Sequence, residues 1–261
     1  MKEKDRLIEY FNVQARLGMI MQHPGGKIAT HRLLGYFPHL KDTARILELG
    51  CGAGRTARIM LDQFPCLYDG IDVSPAMLKR ARAFLINYRT RVTLQQFDLR
   101  KSKLPFPDNS FDVVVAESVL AILDPVEIIP ECSRVLKQGG LLAWNDRIWG
   151  DRVPVETQKE LNEISFRGVG FHAASLEPST VSQWQQLAET CGLSMVVQER
   201  LERMPKESLM PAMIRKAAML MHMLMHPTSA AAWRGERSMV RKGRGQWTKM
   251  DNWIFIARKC T

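Results

Sequence analysis

Three glycines and three carboxylates are the residues whose spacing first suggests chemistry. The segment Ile46-Leu47-Glu48-Leu49-Gly50-Cys51-Gly52-Ala53-Gly54 runs from an apolar stretch into a glycine-rich turn. Glycine lets backbone approach a ligand closely, because no Cβ stands in the way. A helix starting behind the turn adds unpaired N–H groups and the positive end of its dipole. Such a turn holds a nucleotide or nucleoside at the carboxyl edge of a parallel sheet. Dinucleotide turns follow G-x-G-x-x-G/A. Here Arg55 stands where the last Gly or Ala belongs, and the third glycine is Gly54. Glu48, ahead of the first glycine, is badly placed beside a pyrophosphate and suits a ligand with a cationic end. Asp72 closes the next apolar run, where a carboxylate accepts from both hydroxyls of a ribose. Asp98 follows a third run; it can accept from an adenine amino group while Leu99 and Met77 pack on the purine faces.

These residues need elements to hold them. A helix is expected over 5–22, ended by His23-Pro24-Gly25-Gly26, and a short one over 27–37. Apolar runs at 45–49, 67–72, 92–96, 111–116 and 141–145 predict five strands. Helices are expected between them, one opened by Ser74-Pro75 as N-cap and first helical residue. Another is expected from Asp124-Pro125 to Lys137, its start delayed by Pro130 and its end closed by Gly139-Gly140. Residues 146–178 read as irregular. A helix over 179–191, a sixth strand over 193–199 and a seventh over 253–258 complete the pattern. Strand–helix alternation with β-branched strands means a parallel sheet covered on both faces.

With these elements in place, Ile46 to Gly54 resembles motif I of class I S-adenosylmethionine (SAM)-dependent methyltransferases, and Asp72 resembles the acid of the following motif. Residues 104–112, Leu-Pro-Phe-Pro-Asp-Asn-Ser-Phe-Asp, resemble the loop before strand four in the ubiquinone/menaquinone-biosynthesis branch, which also holds many small-molecule enzymes. Residues 131–140 resemble that branch's helix-to-strand-five signature, with Gln138 in place of its usual proline. The resemblance covers residues 44–145. It implies an α/β, Rossmann-like sheet of seven mostly parallel strands with helices on both faces, the last strand antiparallel and inserted between strands five and six. It implies SAM as cofactor. Gly50, Cys51, Gly52 and Gly54 would line its methionine portion, and Asp72 with Val73 its ribose. Asp98, Leu99 and Met77 would meet its adenine, and Glu117 and Ser118 its sulfonium side and the acceptor mouth. Tyr10 is a further expected contact, because an N-terminal helix often closes over the cofactor in this superfamily.

A base is needed only if the acceptor atom must lose a proton. The candidates are His23, His31, Glu117, Asp146 and His172. Each has a plainer reading: His23 shapes a turn, His31 lies in a helix, Glu117 is a solvated loop acid. Asp146 caps strand five or pairs with Arg147, and His172 sits in a Gly-rich loop. No metal site is expected.

The chain has 261 residues, 46% hydrophobic and 25% charged, enough for one elaborated domain. The expected division is an N-terminal helical cap over 1–43 and a core over 44–202. A helical and basic insertion over 203–250 and a final core strand over 251–261 follow. The net charge of +10 favours anionic partners. Five cysteines without C-x-x-C spacing argue for reduced thiols and a cytoplasmic location. No secretory signal and no transmembrane segment are read. The insertion carries a methionine-rich stretch, 209–225, read as a lid, a homodimer contact or a subdomain core. It also carries a basic loop, 234–245, beside Trp233 and Trp247. The expected activity is methyl transfer to a small molecule, apolar or anionic. The alternative is RNA or protein methylation through the basic region, but no amino-methylation motif follows strand four, where Glu117-Ser118-Val119-Leu120 stands. A dehydrogenase is disfavoured by the glycine spacing and Glu48, and a SAM-binding protein without turnover stays open.

Overall fold

A computed structural model describes residues 3–16, 18, 23, 25–101, 103–202, 237–239, 241–243 and 247–260. The methionine-rich stretch, half of the basic loop and most of the expected insertion lie outside the described residues.

The elements in chain order are α1 (Glu3–Arg16), α2 (Gly26–Leu34), β1 (Arg45–Leu49), α3 (Arg55–Gln63), β2 (Leu67–Asp72), α4 (Pro75–Phe84) and β3 (Val92–Gln96). β4 (Phe111–Glu117), α5 (Pro125–Val135), β5 (Leu136–Trp149), α6 (Val155–Val169), α7 (Val181–Thr190), β6 (Leu193–Leu201) and β7 (Met250–Lys259) follow. The sheet order is β3-β2-β1-β4-β5-β7-β6. All strand pairs are parallel except those of β7, which runs antiparallel to both β5 and β6.

Alternation along the central strands explains why the sheet is covered twice. Val113 and Val115 of β4, Leu141 and Ala143 of β5, and Ile254 and Ile256 of β7 pack on one face with Leu33, Met60 and Leu78 of the helices. Val114, Ala116, Leu142, Trp144, Phe255 and Ala257 face the other side, against Ile128, Cys132 and Trp184. Neither face of these strands meets water, so the runs read as continuously apolar.

The structure departs from the sequence reading at element ends. α6 fills part of the stretch read as irregular. Its buried positions include Gln158, Asn162 and Ser165, so the inner face shows little apolar periodicity. Gly139-Gly140 does not close α5. Leu136 already pairs with Phe111, the register shifts, and pairing resumes at Val113 with Leu141; Gly139 (φ 72°) makes that bend. Pro130 does not delay α5, which starts at Pro125 under an Asp124 cap and carries Pro130 on its exposed side. α1 ends at Arg16 and α2 at Leu34, and β7 starts at Met250, ahead of the expected residue 253.

Candidate active site

Pairing register brings the acids together. Leu49, the end of β1, lies beside Ile71 of β2 and Ala116 of β4, so Gly50, Asp72 and Glu117 emerge side by side at the carboxyl edge. Gly50 has φ 66°, and a Cβ there would stand 2.6 Å from Val119 Cγ2. Only glycine fits that backbone without displacing the wall of the site. Gly54 has φ 78° at the N-cap of α3; a Cβ would press on Leu85 of the chain leaving α4 at 3.0 Å.

The Gly52 N–H donates to Asp72 Oδ2 (2.9 Å) and the Ser74 N–H to Asp72 Oδ1 (2.8 Å). Backbone thus fixes the carboxylate plane and leaves each oxygen a further lone pair. Burial pushes the Asp72 carboxyl up to about 6, against the pull of those two N–H groups. Glu48 is buried and receives the Tyr68 hydroxyl on Oε2 (2.6 Å). Burial lifts its carboxyl well above the usual range; the Tyr68 bond opposes this, and the charges of Glu117 and Asp72 add to it. Asp98 is gripped by the Arg100 fork, Nε on Oδ1 at 2.8 Å and Nη2 on Oδ2 at 3.1 Å.

Glu117 is the most heavily bonded acid. Asn145 Nδ2 donates to Oε1 (2.6 Å), Thr56 Oγ1 to Oε2 (2.5 Å), and Thr30 Oγ1 lies 3.1 Å from both oxygens. His23 Nδ1 is 3.6 Å from Oε1, and His23 Nε2 is 3.3 Å from Thr30 Oγ1. The next residue, Ser118, has φ 57°, a left-handed backbone held where its N–H donates to the Asn145 carbonyl (2.8 Å). Strain of that kind collects at functional sites.

These groups surround one open-mouthed cavity at the carboxyl edge of the sheet. Of the expected cofactor contacts, Glu48, Gly50, Cys51 and Gly52 line it from β1 and its turn. Asp72, Val73 and Met77 line it from β2 and the start of α4, Asp98 and Leu99 from beyond β3, and Glu117 and Ser118 from the end of β4. Gly54 and Tyr10 are not among the lining residues. Gly54 serves the packing of α3 on α4, and Tyr10 is buried edge-on against Phe11 and Phe171. α1 reaches the cavity through Leu7 and Phe11 instead. Asn12 anchors that helix: Ser74 Oγ donates to Asn12 Oδ1 at 2.8 Å.

Among the base candidates, His23 and Glu117 line the cavity and His31, Asp146 and His172 do not. His31 is exposed and bonded to Gln63 (3.0 Å), and His172 packs edge-on against Phe166. Asp146 is buried within β5 opposite Trp253. Thr30 and Thr56 were not anticipated. Thr56 stands two residues past Gly54, at the start of α3, which was a usable signal. Thr30 lies 87 positions from Glu117, and nothing local marks it.

Residues 47–144 match the family described as a methyltransferase domain. The chain is 37% identical over 139 residues to a Haemophilus influenzae protein, covering 52% of this chain and 55% of that one. It is 38% identical over 120 residues to the 27-O-demethylrifamycin SV methyltransferase of Amycolatopsis mediterranei, covering 45% of this chain and 43% of that one. The chain thus spans about half the length of these relatives. Among solved structures it resembles the [4+2]-cyclase SpnF, with a TM-score of 0.77 at 19% identity over 100% of this chain and 98% of that one. The matched domain over residues 47–144, the sheet order and the glycine-rich turn together support a methyltransferase domain of the class I SAM-dependent kind in this chain.

Proposed function

We propose that this chain moves a methyl group from SAM to a small-molecule acceptor held in the same cavity. One observation carries the reading: acids from successive strands stand around a glycine-rich turn in a single pocket whose remaining walls are mainly apolar. The donor set fits the cofactor. Glu48, buried with one oxygen held by Tyr68, suits the ammonium group, and Asp72, with its plane fixed by backbone, suits the ribose diol. Met77 and Leu99 suit the purine faces, and Asp98, clamped by Arg100, suits the amino edge.

Bound there, SAM supplies a methyl already activated on a cationic sulfur. The chain's own work is to exclude water and to hold the acceptor in line. Leu7, Phe11, Val119, Ile122 and Leu123 provide the apolar walls for this. Alignment alone supplies up to about 7–11 kcal/mol in well-oriented reactions. A small acceptor is favoured by a cavity that also has to hold the cofactor, and by the relative named for methylating a demethylrifamycin.

The test is to incubate the protein with methyl-labelled SAM and an extract of its source cells, then separate organic, aqueous, RNA and protein fractions. Label in a small-molecule fraction is the expected result. Label confined to RNA or protein would overturn the small-molecule reading and turn attention to the chain's net charge of +10.

A further inference from the structure

We infer that Arg147 binds an anionic group, a carboxylate or a phosphate, on the methyl acceptor and holds it beside Tyr10 at the edge of the cavity. The inference deepens the methyltransferase reading above and rests on it.

Strand register places Arg147. It follows Asn145 by two residues on β5, so the two share a face of the sheet. Asn145 reaches the cavity wall there, donating to Glu117 Oε1 at 2.6 Å. Glu117 is the last residue of β4 and pairs with Asn145. Beyond that level β5 keeps β7 on one side, with Asn252 opposite Arg147, and has no strand partner on the other. Arg147 thus stands about 7 Å past the Asn145 level, at the carboxyl edge. Tyr10 of α1 is near enough to act on its charge. The Tyr10 ring meets Phe11 edge-on, and Phe11 lines the cavity.

The protein leaves this charge unused. The Arg147 guanidinium makes no hydrogen bond or ion pair with any described residue. Arg32, Arg58 and Arg134 are each raised above the ordinary arginine value by carboxylates bonded to them. Arg147 goes the other way. Burial, its largest influence, lowers it, and the charges of Asp146 and Tyr10 oppose this only in part. Asp146 is the next residue along the strand, and alternation sends its side chain to the other face. Yet Arg147 is exposed. A side chain that meets water while protein atoms crowd its charge stands in a recess, not on an open surface. A crowded, unpaired cation gains more from an anion than a fully solvated one does.

The guanidinium fork fits the two oxygens of a carboxylate or phosphate. On the proposed reading the cofactor's ammonium, ribose and adenine are met by Glu48, Asp72 and Asp98, on the other side of Glu117 from β5. The acceptor is therefore the molecule that brings the anion. Leu7, Phe11, Ile122 and Leu123 line the same cavity and call for an apolar body between that anion and the reacting atom. Arg147 lies too far along β5 for its anion to be the atom methylated. The methylated product keeps its negative charge.

Two measurements test this, on wild type, Arg147→Gln and Arg147→Lys. The first is calorimetry on protein saturated with S-adenosylhomocysteine, with decanoate, decyl phosphate and decanol as probes. Wild type should bind at least one of the anions more tightly than decanol. Arg147→Gln should lose about 10–100-fold for that anion, the worth of a charged hydrogen-bonded pair, and nothing for decanol. Arg147→Lys should keep part of the preference, because the charge stays and the fork goes. The second is transfer of label from SAM into the small molecules of a source-cell extract. The labelled product should be retained on an anion exchanger, and Arg147→Gln should raise KM with kcat little changed. Anions bound no better than decanol, or equally by wild type and Arg147→Gln, would overturn the inference. So would weaker S-adenosylhomocysteine binding by Arg147→Gln, which would give the arginine to the cofactor's carboxylate. Label confined to neutral or cationic products would overturn the anionic acceptor and leave methyl transfer standing. Wild type that binds S-adenosylhomocysteine and labels nothing would overturn the methyltransferase reading itself.

Discussion

At the scale of single residues, the site works by burying acids that a ligand must then use. In the folded protein Asp72 holds its proton up to about pH 6, whereas its ordinary value is 3.8. The folded state therefore binds a proton that the unfolded chain has already lost. The stabilisation this brings is complete below the ordinary value and is lost as pH rises through about 6. On the proposed cofactor reading binding runs the other way, because the ionised carboxylate keeps lone pairs for ribose hydroxyls beyond those it gives Gly52 and Ser74. Affinity for 5′-methylthioadenosine, which has the ribose and adenine but no amino-acid end, should be level above about pH 6. Below that it should weaken by up to about tenfold per pH unit, the limit for one linked proton. Asp72→Asn should flatten the profile. Calorimetry from pH 4.5 to 8 decides it: a profile already flat in wild type would remove Asp72 from the ribose site. Glu48, lifted well above the usual range by burial, adds a second expectation. A ligand ammonium brought beside it favours the charged form, so S-adenosylhomocysteine should release a proton that 5′-methylthioadenosine does not. Binding enthalpies in buffers of different ionisation heat should separate the two ligands. Of this site, the glycines and the strand-end acids were legible in the sequence because each lies at or within two residues of the end of its strand or in the turn that follows. The Glu117 cluster was not, because Thr30, Thr56 and Asn145 meet only through the sheet register and the packing of α2 and α3 beside it.

At the scale of elements, the N-terminal helix is a cover packed on the start of α4 and tied there through Asn12. α1 reaches the cavity through Leu7 and Phe11, and Asn12 ties it to the N-cap of α4. Ser74 Oγ accepts from the Met77 N–H (3.1 Å) as it donates to Asn12, so the same hydroxyl caps one helix and fastens another. Phe11 also stacks on Phe171 at 5.9 Å. Asn12→Ala removes the tie at a net cost of about 1 kcal/mol without touching the cofactor acids. The expected result is a small fall in melting temperature and a faster dissociation of S-adenosylhomocysteine, read by stopped-flow. An unchanged off-rate would mean that α1 does not control access. The sequence revealed this helix but chose Tyr10 for the contact. Three aromatic or apolar positions on one helix turn cannot be ranked without knowing how the helix rolls on its neighbours. α6 escaped for a related reason: the face it buries carries Gln158, Asn162 and Ser165, and Asn162 bonds the Ala174 carbonyl and the Ala173 N–H rather than packing. Apolar periodicity finds helices that bury carbon, not those that bury amides.

At the scale of the whole molecule, the antiparallel β7 locks the sheet. It inserts between β5 and β6, one strand in from the sheet edge, and Phe255 stacks on Trp144 at 4.8 Å. The seven-stranded order was legible through the family resemblance and not through periodicity, which cannot say where a strand inserts. β5 carries two buried tryptophans that test how this core is satisfied. Trp149 donates its indole N–H to the Ser175 carbonyl (2.8 Å). Trp144, fully buried between Phe255 and Trp184, has no hydrogen-bond partner for its N–H among the described residues. A buried unsatisfied donor costs about 1–3 kcal/mol. Trp144→Phe removes that donor along with some carbon, so the two effects oppose each other and the net loss should be about 1 kcal/mol or less. Trp144→Ala only empties the core, at about 3–5 kcal/mol. Trp149→Phe removes a donor that was in use and leaves the Ser175 carbonyl short, so it should cost more than Trp144→Phe although the side-chain change is the same. Urea unfolding of the three variants orders them. If Trp144→Phe proved as damaging as Trp149→Phe, the Trp144 N–H would have to be bonded in solution, and the core around β5, β7 and α7 would be arranged differently from what the packing of Trp144, Trp184 and Phe255 requires.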